Sequence, residues 1–121
     1  MEINEYQQLA MTTCMDSCAN DTYMLFGLMA EAGEIADKIA KWKRKGLIQM
    51  QQDRVVFTSK YQVENDRMSE ELMKEVGDVM WFCAGIAQSF GWRLEDVCRM
   101  NLDKLASRQQ RGVIDGNGDN R

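Results

Sequence analysis

Two pairs of carboxylates carry the strongest chemical signal in this sequence. Glu31-Ala32-Gly33-Glu34 and Glu75-Val76-Gly77-Asp78 each place acids at positions i and i+3. On a helix, such residues lie about 60° apart in projection and one turn along the axis. Each pair can therefore aim both side chains at one point. Four carboxylates facing one another repel unless a cation lies between them. An all-oxygen donor set without sulfur or imidazole selects a hard ion: Mg²⁺, Ca²⁺ or Mn²⁺. Mg²⁺ in such a site keeps waters and completes its shell with phosphate oxygens. The chain has no histidine, which removes the Glu-x-x-His ligand pattern of ferritin-like di-iron bundles.

An acidic i, i+3 pair alone is more often solvated surface. Two features set these pairs apart. Both border apolar stripes, and both enclose a glycine, Gly33 or Gly77, inside an expected helix. Interior helix glycine costs about 1 kcal/mol relative to alanine, so close helix approach or substrate access is expected there. On the first acidic helix, Glu34, Lys38, Lys41 and Lys45 fall within an arc of roughly 80°. On the second, Glu71, Glu75, Asp78 and Phe82 share a face. Asn101, Lys104, Arg108 and Arg111 share a face further on. The lysines are also explained as dipole complements, and Trp81 and Phe82 as core packing.

Four helices must position these groups. The first is expected from about Ile3 to Cys18, with Asn20, Asp21 or Thr22 capping the next. The second runs from about Tyr23 to Lys45 and stops at Gly46, after a basic last turn. Residues 47–68 allow a hairpin, a short helix or a loop; Val55-Val56-Phe57-Thr58 is β-like in composition. The third helix is expected from about Ser69, as N-cap, to Phe90. The fourth runs from about Leu94 to Gln110. The glycine-rich tail 112–121 is expected to be non-helical. The reading is all-α, a four-helix-bundle-like single domain over 1–121, with its core at about 3–112 and 47–68 as a variable insert.

Composition supports this. The chain of 121 residues has no proline and ten methionines, both favourable to helix. A net charge of −4 offers no basic stripe for nucleic acid. The four cysteines include no C-x-x-C pair. Cys14 and Cys18 would share a helix face, and free thiols point to a reducing cytoplasm. No signal peptide or membrane span is legible. So short a chain buries a modest core, so shared helix faces between subunits are expected.

Taken in order, Leu28-Met29-Ala30-Glu31-Ala32-Gly33-Glu34-Ile35, Glu75-Val76-Gly77-Asp78-Val79-Met80-Trp81, and Asn101-Leu102-Asp103-Lys104-Leu105 with Arg108 resemble the MazG-like nucleotide pyrophosphohydrolases of the all-α NTP pyrophosphatase superfamily. The likeness spans about residues 20 to 112. It implies hydrolysis of a nucleoside triphosphate to a monophosphate and pyrophosphate, with Mg²⁺ or a substituting Mn²⁺, in a homodimer or homotetramer. It implies Glu31, Glu34, Glu75 and Asp78 as metal ligands, and Asn101 and Lys104 as nucleotide and phosphate contacts. Glu34 is expected to orient or deprotonate the attacking water. Lys38, Lys104 and Arg108 would balance phosphate charge, and Phe82 or Trp81 would stack on the base. Ala30 stands where the family often has a further glutamate, and the gap between the two acidic pairs is longer than in compact members. A nucleotide-binding or interaction module without turnover is the alternative.

Overall fold

Asn20 caps the helix that carries the first acidic pair: its Oδ1 accepts from the Tyr23 amide at 2.8 Å. In the computed structural model, which describes residues 1–121, that helix, α2, spans Asp21–Arg44. It is preceded by α1 (Ile3–Met11) and followed by β1 (Ile48–Gln51), β2 (Arg54–Phe57), α3 (Gln62–Ser89) and α4 (Leu94–Gln110). Lys41, Lys43 and Arg44 complement the C-terminal dipole of α2. Gly46 then turns the chain with φ +72°.

α2 and α3 run antiparallel, and their contacts form a ladder. Asp21 accepts from the Ser89 hydroxyl, Met24 lies on Gly85 and Gly27 on Phe82, Glu31 meets Asp78 and Glu75, Lys38 pairs with Glu75 and Glu71, and Trp42 packs on Met68. Each step of a turn or two along α2 is matched by a comparable step back along α3. Close helix approach falls at Gly27 and Gly85, where a Cβ would collide with the Phe82 ring and the Met24 thioether. It does not fall at Gly33 or Gly77, which face open space.

Residues 47–68 resolve into two pieces. Ile48 pairs with Phe57 and Gln51 with Arg54 in an antiparallel hairpin. Its two turn residues, Gln52 (φ 47°) and Asp53 (φ 62°), are both left-handed, as a type I′ turn requires. α3 then begins at Gln62, about two turns before Ser69, which is therefore an interior residue and not an N-cap. The early start is held locally. Asn65 Oδ1 accepts from the Ser59 amide, Asn65 Nδ2 donates to the Ser59 carbonyl, and the Ser59 hydroxyl donates to Glu64. Met68, fully buried against Trp42 and Ile48, anchors the extra turns.

α1 stops at Met11 instead of reaching Cys18. The hydroxyls of Thr12 and Thr13 donate to the carbonyls of Leu9 and Ala10 at 2.6 and 2.7 Å, closing the last turn on itself. A short 3₁₀ turn, Asp16–Cys18, follows, so Cys14 and Cys18 do not share a helix face. All four cysteines are free.

α4 has the expected bounds, but its N-terminus is capped from outside. Arg93 makes no capping side-chain bond. Instead, the buried Gln7 accepts from the Leu94 amide at 2.7 Å and donates to the Trp92 carbonyl at 2.9 Å. Asn4 brackets Glu95 in the same way. Two cores flank the middle of the α2–α3 pair: Trp42, Ile48 and Met68 at the hairpin end, and Ala84, Ala87 and Leu94 with Tyr6 and Met11 at the other. The tail lacks helix, as expected. Only 12 of 121 residues are buried, and Phe26, Met29, Met73, Met100 and Leu102 stay exposed. No helix is long and apolar enough to cross a membrane.

Candidate metal centre

The antiparallel ladder brings Glu31 opposite Asp78 and Glu75. Carboxylate oxygens of these three residues lie within 4.8 Å of one another. Glu31 and Glu75 are half-buried and Asp78 is exposed, so the cluster opens to solvent on one side. Burial pushes the Glu31 carboxyl above its ordinary value, and the charges of Asp78, Glu75 and Glu34 push it the same way. Such crowding opposes ionisation and is relieved by a cation. The donor set is all oxygen, half desolvated and open on one side, which fits a hard divalent ion that retains waters.

Glu34 lies outside this trio and is exposed. It sits about 4.5 Å further along the α2 axis than Glu31, while both acids of the α3 pair turn to Glu31. It is near enough to contribute to the Glu31 shift. The expected four-ligand set therefore appears as three converging carboxylates with a fourth beside them.

Lys38 is not a free cation on the α2 face. Its Nζ lies 3.3 Å from Glu75 and 3.8 Å from Glu71. The reason is again the ladder: one turn beyond Glu34 on α2 is opposite one turn before Glu75 on α3. Sequence spacing placed Glu71 on this face but did not assign it a partner. Lys38 thus partly neutralises one carboxylate of the trio.

Beside Glu31 a groove of about 360 Å³ is lined by Tyr23, Phe26, Gly27, Ala30 and Phe82, among others. Phe82 is buried at its floor, its ring centroid 5.6 Å from that of Tyr23. Gly27 leaves room for that ring, and Ala30 keeps the wall low. Tyr23, Phe26 and Gly27 were not legible as site residues; the only sequence signal was a glycine one turn before Glu31. Trp81 does not face the groove as a free stacking surface. Its indole N–H donates to the Ala10 carbonyl at 3.1 Å and to the Thr13 hydroxyl at 2.8 Å, and its ring packs edge-on against Phe82. It joins α3 to α1 and supports Phe82 from behind.

The α4 residues lie apart from the trio's own contacts. Asn101 is exposed. Lys104 and Arg108 both bind Asp119 of the tail, at 3.2 and 2.9 Å.

Residues 20–113 match the MazG nucleotide pyrophosphohydrolase domain. The chain is also similar to the Gene 37 protein of Mycobacterium phage L5, 36% identical over 128 residues with all of both chains covered. No solved structure matches it. The matched span runs from the cap of α2 to the root of the tail, taking in both acidic pairs and all of α4, and the chain belongs to the MazG nucleotide pyrophosphohydrolase family.

Proposed function

We propose that the chain hydrolyses a nucleoside triphosphate, of the ribo or deoxy series, between its α and β phosphates, giving a monophosphate and pyrophosphate in a Mg²⁺-dependent reaction. The convergence of Glu31, Glu75 and Asp78 beside an aromatic groove carries this reading. These three residues hold the ion, Mg²⁺ or in its place Mn²⁺, and Glu34 completes the acidic set from one turn away. A divalent ion held there would supply positive charge to the phosphates and lower the pKa of water beside it.

The protein's own groups do the rest. Glu34, exposed beside the trio, accepts the proton of the attacking water. Lys38 holds Glu75 in orientation and sets the charge of the cluster. Phe82 and Tyr23 receive the base in the groove next to Glu31. Asn101, Lys104 and Arg108 bind the nucleotide and its phosphates and stabilise charge on the departing pyrophosphate. The exposed apolar faces of α2, α3 and α4 support assembly as a homodimer or homotetramer. The role assigned to this reaction is control of a nucleotide pool, or its cleansing of non-standard nucleotides, with the cytoplasm as the proposed location.

The test is pyrophosphate release from a panel of ribo- and deoxynucleoside triphosphates, with Mg²⁺ and with chelator. Wild type is compared with Glu75→Gln and Asp78→Asn. Metal-dependent release that both variants lose is expected. Full activity in both folded variants would overturn the proposal.

A further inference from the structure

Arg108 is the one buried cation of the chain, 5% exposed. Its Nη2 donates to the carbonyls of Gly118 and Asp119, each at 3.3 Å, and to Asp119 Oδ1 at 2.9 Å. Its Nε is buried with no partner at all. Lys104, one turn earlier on α4, reaches the same Oδ1 at 3.2 Å. One carboxylate oxygen thus serves two cations, while the arginine fork is engaged at a single nitrogen. A guanidinium is best satisfied by two oxygens presented side by side, as a phosphate offers. The seat is occupied by an anion that underfills it.

The segment supplying that anion is held in one shape by its own bonds. Gly112 (φ +66°) and Gly118 (φ +77°) form its bends. Arg121 closes the loop by donating to the carbonyls of Val113 and Gly118, and Arg111 donates to the Arg121 carbonyl at 2.6 Å. The Asp119 side chain itself is 81% exposed, so nothing but the two cations retains its carboxylate.

We propose that the tail 112–121 is an internal anion plug: Asp119 occupies the phosphate seat of Lys104 and Arg108 and is displaced by a phosphate-bearing ligand. This rests on reading Lys104 and Arg108 as phosphate-binding groups, and it adds that their access is regulated by the chain itself. Phosphate entry must break both Asp119 pairs, so the plug weakens binding and sets a threshold of ligand concentration.

The experiment is calorimetric titration of the full chain with inorganic pyrophosphate in chelator, so that binding through a divalent ion does not contribute. Asp119→Asn keeps the side-chain shape and removes the charge. It should tighten pyrophosphate binding about three- to tenfold, the order expected for releasing two ion pairs whose shared carboxylate is exposed. Lys104→Ala added to Asp119→Asn should abolish that gain. Gly118→Ala, which strains the bend without touching the carboxylate, should also tighten binding, and it keeps the test decisive if Asp119→Asn does not fold. Unchanged or weaker binding in the folded single variants would overturn the plug, as would absence of pyrophosphate binding in every protein. Triphosphate turnover is followed in parallel. Tightened pyrophosphate binding without turnover defeats the hydrolase reading and leaves the plug standing. Full metal-dependent turnover with unaltered pyrophosphate affinity defeats the plug alone.

Discussion

Replacing Glu31 with glutamine should stabilise the metal-free protein while removing its response to Mg²⁺. Glu31 is the best member of the trio to change, because Glu75 also holds Lys38 and its loss would leave that cation only Glu71, at 3.8 Å. With carboxylate oxygens within 4.8 Å, each like-charge pair costs about 0.9 kcal/mol at the permittivity of water. Two neighbours, reduced by ionic screening at physiological salt and by the Lys38 charge, leave about 1 kcal/mol. For a chain of this size that is a rise in Tm of about 3–4 °C, at fixed protein concentration in chelator. The pH dependence has a definite sign. The folded-state Glu31 carboxyl is raised by burial and then by Asp78, Glu75 and Glu34. The folded chain therefore holds a proton that the unfolded chain has released, and this group's contribution to stability falls as pH rises through that window. Wild type and variant should melt alike below the ordinary glutamate range and separate as pH climbs above it. Added Mg²⁺ should raise the wild-type Tm and move the variant much less. A variant no more stable than wild type at neutral pH in chelator would refute the view of Glu31 as a strained member of an acidic cluster.

Gly27→Ala should lower the unfolding free energy by about 1–3 kcal/mol through overpacking against Phe82. Gly33→Ala, facing open space, should instead raise stability by about 0.5–1 kcal/mol; urea titrations of both variants test the contrast. Trp81→Phe should cost about 1 kcal/mol through its lost bonds to Ala10 and Thr13, read as a shift in chemical denaturation, while KM for the triphosphate stays within about twofold. Converting Gln52-Asp53 to Asn-Gly should stabilise the hairpin by about 0.5–1 kcal/mol, measurable as slowed amide exchange at Arg54 and Val56, the residues in its hydrogen-bonded pairs.

The helices with strong punctuation were legible in the sequence. Asn20 and Gly46 bound α2, and Gly91 and Gly112 frame α4, because a cap or a left-handed turn is a local property of one or two residues. Where the start of a helix depends on distant packing, the local signal misled. Ser69 has the chemistry of an N-cap, yet Met68 against Trp42 and Ile48 carries α3 back to Gln62. Two adjacent threonines ended α1 through hydroxyl-to-carbonyl bonds that helical periodicity does not register. The site was legible as two acidic pairs, since i, i+3 spacing is intrinsic to a helix. Which three of the four acids meet is a matter of the α2–α3 register, and that register is set by Gly27 and Gly85. The same register gives Lys38 to Glu75 and Glu71, and a fold-back of the tail gives Lys104 and Arg108 to Asp119; neither partner can be deduced from spacing along one helix.

The bracket made by Asn4 and Gln7 has a consequence for how the chain folds. It joins residues 85 to 91 positions apart in the sequence, so the first amides of α4 find their acceptors only after about three-quarters of the 121-residue chain has closed into one loop. Closing a loop of that length comes late and slowly compared with forming a hairpin of neighbouring helices. The α2–α3 pair can assemble first, with α1 and α4 adding together as a final step. The amides of Leu94 and Glu95 should then exchange with solvent only when α1 and α4 open in concert, reporting the cooperativity of the two chain ends and not the fraying of one helix.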